Sequence, residues 1–264
     1  MKKRRRRISR PWYTKLFGSR RKKLFRIRPK TKAKLACGIM AAVLVFLAIF
    51  LITGPKGHKG IDVSHHQGNI DWTAVAATGE VEYVFIKATE GSSLVDNKYR
   101  TNLRKARQQG ILVGAYHFFS TASTGQNQFA HFKSIVGKDI DLLPVLDLEP
   151  GGGRISSDEK YQQQVKAFID ACFDYYGRYP IVYASPSFVK DHHLKKTIEK
   201  CPYWMAWYTR MPQEVTSRRN YVLLMHPASR AIMWQYTEKG SVEGIVGNVD
   251  LNECWEMASI KFRY

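Results

Sequence analysis

Beyond residue 60 the chain alternates short apolar runs with longer stretches of helical period. The runs centre on Ile61-Asp62-Val63, Tyr83-Val84-Phe85-Ile86, Leu112-Val113-Gly114-Ala115, Pro144-Val145-Leu146, Ile181-Val182-Tyr183, Trp204-Met205-Ala206, Ile232-Met233-Trp234 and residues 246–249. Each is short, apolar and bounded by turn residues, which predicts a strand. Helices are predicted over 71–76, 97–109, 126–136 and 157–176, the last three halting at Gly110, Gly137 and Gly177. Glycine is the usual residue just past a helix, because the chain there turns into left-handed space. Strand–helix alternation implies a mainly parallel sheet with crossover helices. Eight strands imply closure. The last strands have short connections without obvious helices. The fold class expected is therefore α/β: an irregular (β/α) barrel of eight mainly parallel strands, with fewer helices than a regular TIM barrel.

One strand stands out. Leu143-Pro144-Val145-Leu146-Asp147-Leu148-Glu149-Pro150 ends in two acids two residues apart, and Gly151-Gly152-Gly153 then breaks the chain. Side chains alternate along a strand, so Asp147 and Glu149 share a face while Leu146 and Leu148 point into packing. Two crowded carboxyls repel when both are ionised, which favours one protonated acid near neutral pH. That pairing can protonate a leaving group and stabilise a developing cation. The plainer reading is a strand-end Asp that caps the next helix beside a solvated Glu.

Other acids fall at comparable places. Asp62 ends the first run, Glu90 follows the second in Lys87-Ala88-Thr89-Glu90-Gly91, and Asp250 ends the last. In a parallel barrel all strand C-terminal ends open on one face, where active sites are built. Tyr116, His117, Phe118, Phe119, Tyr183, Trp207, Tyr208, Trp234 and Tyr236 occur at the same ends. An acidic floor with aromatic walls suits a neutral sugar polymer and repels nucleic acid. Against this, Asp62 alone would be an ordinary loop cap, Lys87 a buried stem paired to Glu90, and Trp204 and Trp234 core aromatics. His65-His66 looks like a metal pair, but adjacent side chains on a strand point apart and no third ligand is evident. Ser64 and Ser185 lack the Gly-x-Ser-x-Gly setting of a serine hydrolase.

Charge is concentrated at one end. Of 42 Lys and Arg, 17 lie in residues 1–34 with no acid among them; the other 25 face 22 acids, a net of +3. The tail cannot build a core and is expected to be disordered. A nucleic-acid partner would want its basic residues on the folded domain. Residues 35–53 carry no charge over 19 positions, close to the ~20 needed to cross a bilayer as a helix. With the basic residues all in front of it, the N-terminus is expected in the cytoplasm and the rest exported. A cleaved signal peptide is the rival, but its apolar region is shorter, ~7–15 residues, and ends in a small-x-small site that this run lacks. The expected layout is a basic cytoplasmic tail (1–34), a transmembrane helix (35–53), a Gly/Pro linker (54–59) and a folded domain (60–264). The single span is expected in a bacterial inner membrane. Of Cys37, Cys172, Cys201 and Cys254, none has metal-site spacing; export would permit one disulfide, whose pairing the sequence leaves open. No metal or other cofactor is expected.

The motifs taken together resemble the glycoside hydrolase family 25 lysozymes, muramidases of the Chalaropsis type. The resemblance covers about residues 60–255. It is carried by Gly60-Ile61-Asp62-Val63-Ser64-His65-His66-Gln67-Gly68-Asn69-Ile70-Asp71-Trp72, Phe85-Ile86-Lys87-Ala88-Thr89-Glu90-Gly91, Gly114-Ala115-Tyr116-His117-Phe118-Phe119, Asp147-Leu148-Glu149, Met233-Trp234-Gln235-Tyr236 and Asn248-Val249-Asp250-Leu251-Asn252. It implies hydrolysis of the β-1,4 bond between N-acetylmuramic acid and N-acetylglucosamine, with peptidoglycan glycan strands as partner. It implies Glu149 as general acid, Asp147 as support for the reacting sugar, and Asp62 and Asp250 completing the acidic cluster. Lys87, Glu90, Tyr116, Tyr183, Trp207 and Gln235 would bind substrate. A neighbouring-group route through the substrate's acetamido group is implied as an option. The short linker also allows a catalytically weak wall-binding tether. Residues 209–230 match no part of the pattern, and the oligomeric state stays open, with a monomer the default.

Overall fold

The computed structural model describes residues 29–54, 56–211, 217–227 and 229–262. The basic segment 1–28, expected to be disordered, lies outside the described residues. Two compact units divide the chain between Leu47 and Ala48.

The first unit holds most of α1 (Pro29–Ile52), a helix of 24 residues. It begins ahead of the apolar run, inside the segment expected to be disordered. Its apolar part, Lys34–Ile52, has 19 residues and is long and apolar enough to cross a membrane.

The second unit is a barrel. In chain order it contains β1 (His58–Val63), α2 (Trp72–Ala77), β2 (Tyr83–Glu90), β3 (Leu94–Val95), α3 (Tyr99–Gln108), β4 (Leu112–Phe118), α4 (Gly125–Val136), β5 (Val145–Asp147), α5 (Asp158–Tyr176), β6 (Ile181–Ala184), α6 (Pro186–Asp191), β7 (Tyr203–Ala206), α7 (Arg218–Met225), β8 (Ala231–Gly240), β9 (Val249–Cys254) and α8 (Met257–Ile260). The strands run β1-β9-β8-β7-β6-β5-β4-β2, and β2 pairs back onto β1. Eight strands therefore close the barrel, and β3 is a short flap on β2.

Seven of the eight strands are parallel; β9 runs antiparallel to both β1 and β8. This corrects the reading of the last strand. The apolar run at 246–249 mostly precedes it, and Val246 is 86% exposed. Asp250 begins β9 instead of ending it. Because the strand is reversed, its beginning lies at the same end of the barrel as the C-terminal ends of the others.

Period-two alternation divides the apolar side chains between two layers. Tyr83, Phe85, Val145, Ile181, Tyr183, Trp204, Ala206 and Met233 fill the barrel. Val84, Ile86, Leu146, Leu148, Val182, Met205 and Trp234 face the surrounding helices. The interior rings need room from neighbouring strands. A Cβ on Gly60 would lie 2.3 Å from the Tyr83 ring, and one on Gly114 would lie 2.3 Å from the Phe85 ring. Beneath these layers, Met257 and Ile260 of α8 close the floor.

The helices have local causes. Asp71 accepts from the backbone N–H groups of Thr73 and Ala74 at the start of α2, and Ser157 caps α5 with Asp158 and Glu159 in its first turn, favourable against the helix dipole. Gly177 ends α5 in left-handed conformation, φ 72°. Helices α6, α7 and α8 were not anticipated. Ser64 and Ser185 are N-caps, consistent with the weak case for a serine nucleophile. The cysteines are free thiols, with Cys172 and Cys254 buried.

Candidate active site

At the C-terminal end of the parallel strands lies a cavity of about 280 Å³, lined by Asp62, Asp147, Glu149, Glu238 and Asp250 together with Lys87, Tyr116, Phe118, Tyr183, Trp204, Tyr208 and Gln235. Strand register places them. Asp62 is opposite Asp250, Asp147 opposite Phe118 and Tyr183, and Gln235 opposite Asn252.

Asp62 is the best-held acid. Its Oδ2 accepts from Nε2 of Gln235 at 2.8 Å and from Nδ2 of Asn252 at 2.8 Å. The amide oxygens of both donors are occupied in turn. Gln235 Oε1 accepts the hydroxyls of Tyr183 (2.7 Å) and Tyr208 (2.5 Å), and Asn252 Oδ1 accepts the indole N–H of Trp204 (3.0 Å). Side chains from β1, β6, β7, β8 and β9 are thereby joined in one network. With both amide oxygens accepting, their N–H groups are directed at Asp62.

Asp147 is buried, and its Oδ1 has no hydrogen-bond partner among the described residues. An unmet buried acceptor costs free energy, about 1–3 kcal/mol, and such a group in a cleft is poised to receive a ligand donor. Glu149 lies just past β5 and is half-buried. Lys87 is buried in the cavity wall: its Nζ is 2.8 Å from Glu90 Oε2 and 4.6 Å from the centroid of the Phe118 ring.

Asp62, Asp147, Glu149 and Asp250 hold protons more tightly than usual. Burial, then the Asp62 charge, pushes Glu149 up to about 7, against the pull of Lys87. Burial, then Asp62, pushes Asp250 up to about 8. Asp147 is raised well above the ordinary range by burial, then by Glu149 and Asp62. Burial also raises Asp62, with the Asn252 and Gln235 hydrogen bonds opposing it. Like charges this close in a dry site cannot all ionise, so the cluster carries protons at neutral pH.

Of the ten residues singled out in the sequence, eight line the cavity: Asp62, Lys87, Tyr116, Asp147, Glu149, Tyr183, Gln235 and Asp250. Glu90 reaches it only through Lys87. Trp207 faces elsewhere. Its ring stacks on Tyr221 at 5.8 Å, and its carbonyl accepts the Trp234 indole N–H at 2.7 Å. The loop after β7 turns its first side chain outward, so Tyr208 enters the site and Trp207 does not. His117 is also structural: buried between Thr89 and Gln128, its pKa is lowered to about 3. His65 and His66 sit on a 3-10 turn, not a strand, and their rings lie 4.0 Å apart instead of diverging. His65 binds Asp96 at 2.7 Å, while His66 lines the cavity. Sequence reading missed Asn252, Trp204 and Glu238 as site residues. Asn252 had a usable signal, since it lies two residues from Asp250 on one strand.

The sequence model for glycosyl hydrolases family 25 matches residues 61–245. The uncharacterized protein YegX of Escherichia coli K12 is 33% identical over 199 residues, covering 73% of this chain and 68% of that protein. Lysozyme M1 of Streptomyces globisporus is 31% identical over 213 residues, covering 75% of this chain and 68% of that one. Among solved structures, the bacterial lysozyme of Streptomyces coelicolor aligns with a TM-score of 0.64 at 28% identity, covering 78% of this chain and 99% of that one. The family match takes in Asp62, Asp147 and Glu149 and all of the barrel strands but the last, and the chain belongs to glycosyl hydrolase family 25, as a glycoside hydrolase of the lysozyme type.

Proposed function

We propose that the enzyme hydrolyses the β-1,4 bond between N-acetylmuramic acid and N-acetylglucosamine in peptidoglycan, with α1 anchoring it in a bacterial inner membrane and the barrel on the exported side. The observation that carries this reading is Glu149, a half-buried acid with a pKa near 7 at the mouth of a cavity walled by Tyr116, Tyr183, Trp204 and Tyr208. A carboxyl that is still protonated close to neutral pH can donate to the glycosidic oxygen as the bond breaks. The aromatic wall offers faces on which sugar rings stack.

Asp147 supports the sugar from the same side. Its unpartnered Oδ1 is placed to accept the N–H of the substrate's acetamido group. Holding that group turns its carbonyl oxygen toward the anomeric carbon, the neighbouring-group route that dispenses with a protein nucleophile. Asp62, fixed by Gln235 and Asn252, and Asp250 complete a field that favours positive charge developing on the ring. Lys87 limits how far the acids' pKa values rise. The proposed layout keeps the tail at 1–34, the span at 35–53, the linker at 54–59 and the hydrolase at 60–264.

The test is mass spectrometry of products from purified peptidoglycan. Fragments with muramic acid at the reducing end support the assignment; glucosamine at the reducing end would overturn it. Binding to the wall with no release by the intact protein would favour a tether instead.

A further inference from the structure

Beside the acidic cleft lies a second, larger cavity of about 510 Å³. It is bounded by the loop that follows β4 and by the approach to α5. Consecutive residues line the two cavities, Phe118 the first and Phe119 the second. Their shared wall is zipped shut. Thr121 N–H donates to the Gly152 carbonyl at 2.7 Å, and a Cβ on Gly152 would lie 2.1 Å from the Phe119 carbonyl oxygen. The far wall is also fixed. Fully buried Gln128 accepts the Ser120 N–H at 2.8 Å and donates to the carbonyls of Ser120 and Ser123. The cavity is thus built into the fold.

The charge of the two cavities is opposite. Five carboxyls and one lysine line the first. Arg154 and Lys160 are the charged residues lining the second, which has no carboxylate and is otherwise rich in hydroxyls such as Ser120, Thr121 and Ser156. Neither cation makes a side-chain hydrogen bond or ion pair among the described residues.

We propose that this second cavity is a subsite for the carboxylate-bearing peptide stem of peptidoglycan, with Arg154 and Lys160 as its anchors; the proposal rests on the hydrolase reading above. Peptidoglycan is a neutral glycan with acidic peptides hanging from its muramic acid residues. The acidic cleft accepts the glycan and repels the stem carboxylates. The neighbouring cavity offers cations and hydroxyls to those same carboxylates. An extended stem of three or four residues spans roughly 10–14 Å, a reach that carries it out of the cleft toward the Phe119 side of the loop.

The test uses the full chain carrying Glu149→Gln, so that ligand survives, titrated with a soluble muramyl tetrapeptide. Adding Arg154→Ala and Lys160→Ala should weaken binding about fivefold, and rising salt should erase the difference. Equal affinity with and without the two cations, or no measurable binding in either protein, overturns the subsite. A second arm assays the otherwise native enzyme on glycan strands stripped of peptide. Cleavage there together with equal stem affinities sinks the subsite alone. No cleavage of either stripped or intact strands sinks the hydrolase reading. Both cations are exposed, so their removal leaves the fold intact.

Discussion

Asp62 on β1 and Asp250 on β9 are register partners across an antiparallel seam, and the Asp62 charge helps burial push the Asp250 carboxyl up to about 8. Two acids brought face to face by strand pairing repel when both are ionised, so the pairing itself favours a proton on Asp250. The seam exists because β9 runs backwards. A parallel last strand would bring its other end to this face.

The pair has a pH signature in stability. A carboxyl whose pKa is raised on folding binds its proton more tightly in the folded state, so its contribution is full below the unfolded value and lost as pH rises through the folded one. For Asp250 the window runs from about 3.8 to about 8. Thermal melts of the soluble barrel should show stability falling across it. Asp250→Asn should flatten the slope and raise the Tm by several degrees at pH 8, with little change near pH 4. An unchanged slope would show that Asp250 does not carry the proton.

Glu149→Gln should lower kcat/KM on peptidoglycan by at least about 10²-fold, as expected for loss of a general acid. The native enzyme should lose activity on the alkaline side of about pH 7, because the acid must be protonated to donate. The residual activity of the variant should lack that limb. Equal rates in variant and native enzyme would remove Glu149 from the mechanism.

Lys87 offers a separate handle. It is the cation that draws down both Glu149 and Asp147. Lys87→Met should shift the alkaline limb to higher pH. A limb that stays in place while KM rises would indicate that Lys87 binds sugar and leaves the acids alone.

For Asp147, the choice between neighbouring-group support and direct attack can be made chemically. A thiazoline mimic of the cyclised acetamido group should inhibit the native enzyme, and Asp147→Asn should weaken that inhibition by at least tenfold, about 1.4 kcal/mol. A trapped glycosyl ester on Asp147 would show direct attack.

Gly152→Ala tests the wall between the cavities. The added methyl meets the Phe119 carbonyl oxygen, a backbone atom that cannot swing away. Destabilisation of about 1–3 kcal/mol is expected, read by denaturant melts. A drop in kcat should accompany it, since the displaced loop carries Glu149 at one end.

Much of this arrangement could be read from the residues. Val145-Leu146-Asp147-Leu148-Glu149 alternates as expected, with Leu146 and Leu148 fully buried outside the barrel and both acids at the cavity. Three helices, α3, α4 and α5, ended near the glycines that announced them. The failures were tertiary. Apolar residues at 246–249 imitated a strand, whereas Leu251-Asn252-Glu253-Cys254 alternates too mildly to stand out until β1 and β8 flank it. The amphipathic run of α7 was hidden behind an Arg-rich start. Nothing local separates Trp207 from Tyr208; the turn after β7 decides which of them faces the sugar. The Gln235 and Asn252 clasp on Asp62 joins residues up to 190 positions apart, beyond the reach of any window.

The reversed last strand also fixes an order of assembly. The first barrel strand finds one of its two neighbours only in the final stretch of the chain, and the same stretch supplies the floor, where Leu143 N–H meets the Ile260 carbonyl and Phe262 N–H meets that of Asp141. Closure therefore cannot precede synthesis of β9. Until then the nascent polypeptide is an unclosed curved sheet with two bare edges and slow, long-range contacts still to make, and its cluster of acids has not been assembled. The acidic cluster is complete only once β9 has brought Asp250 and Asn252 to Asp62.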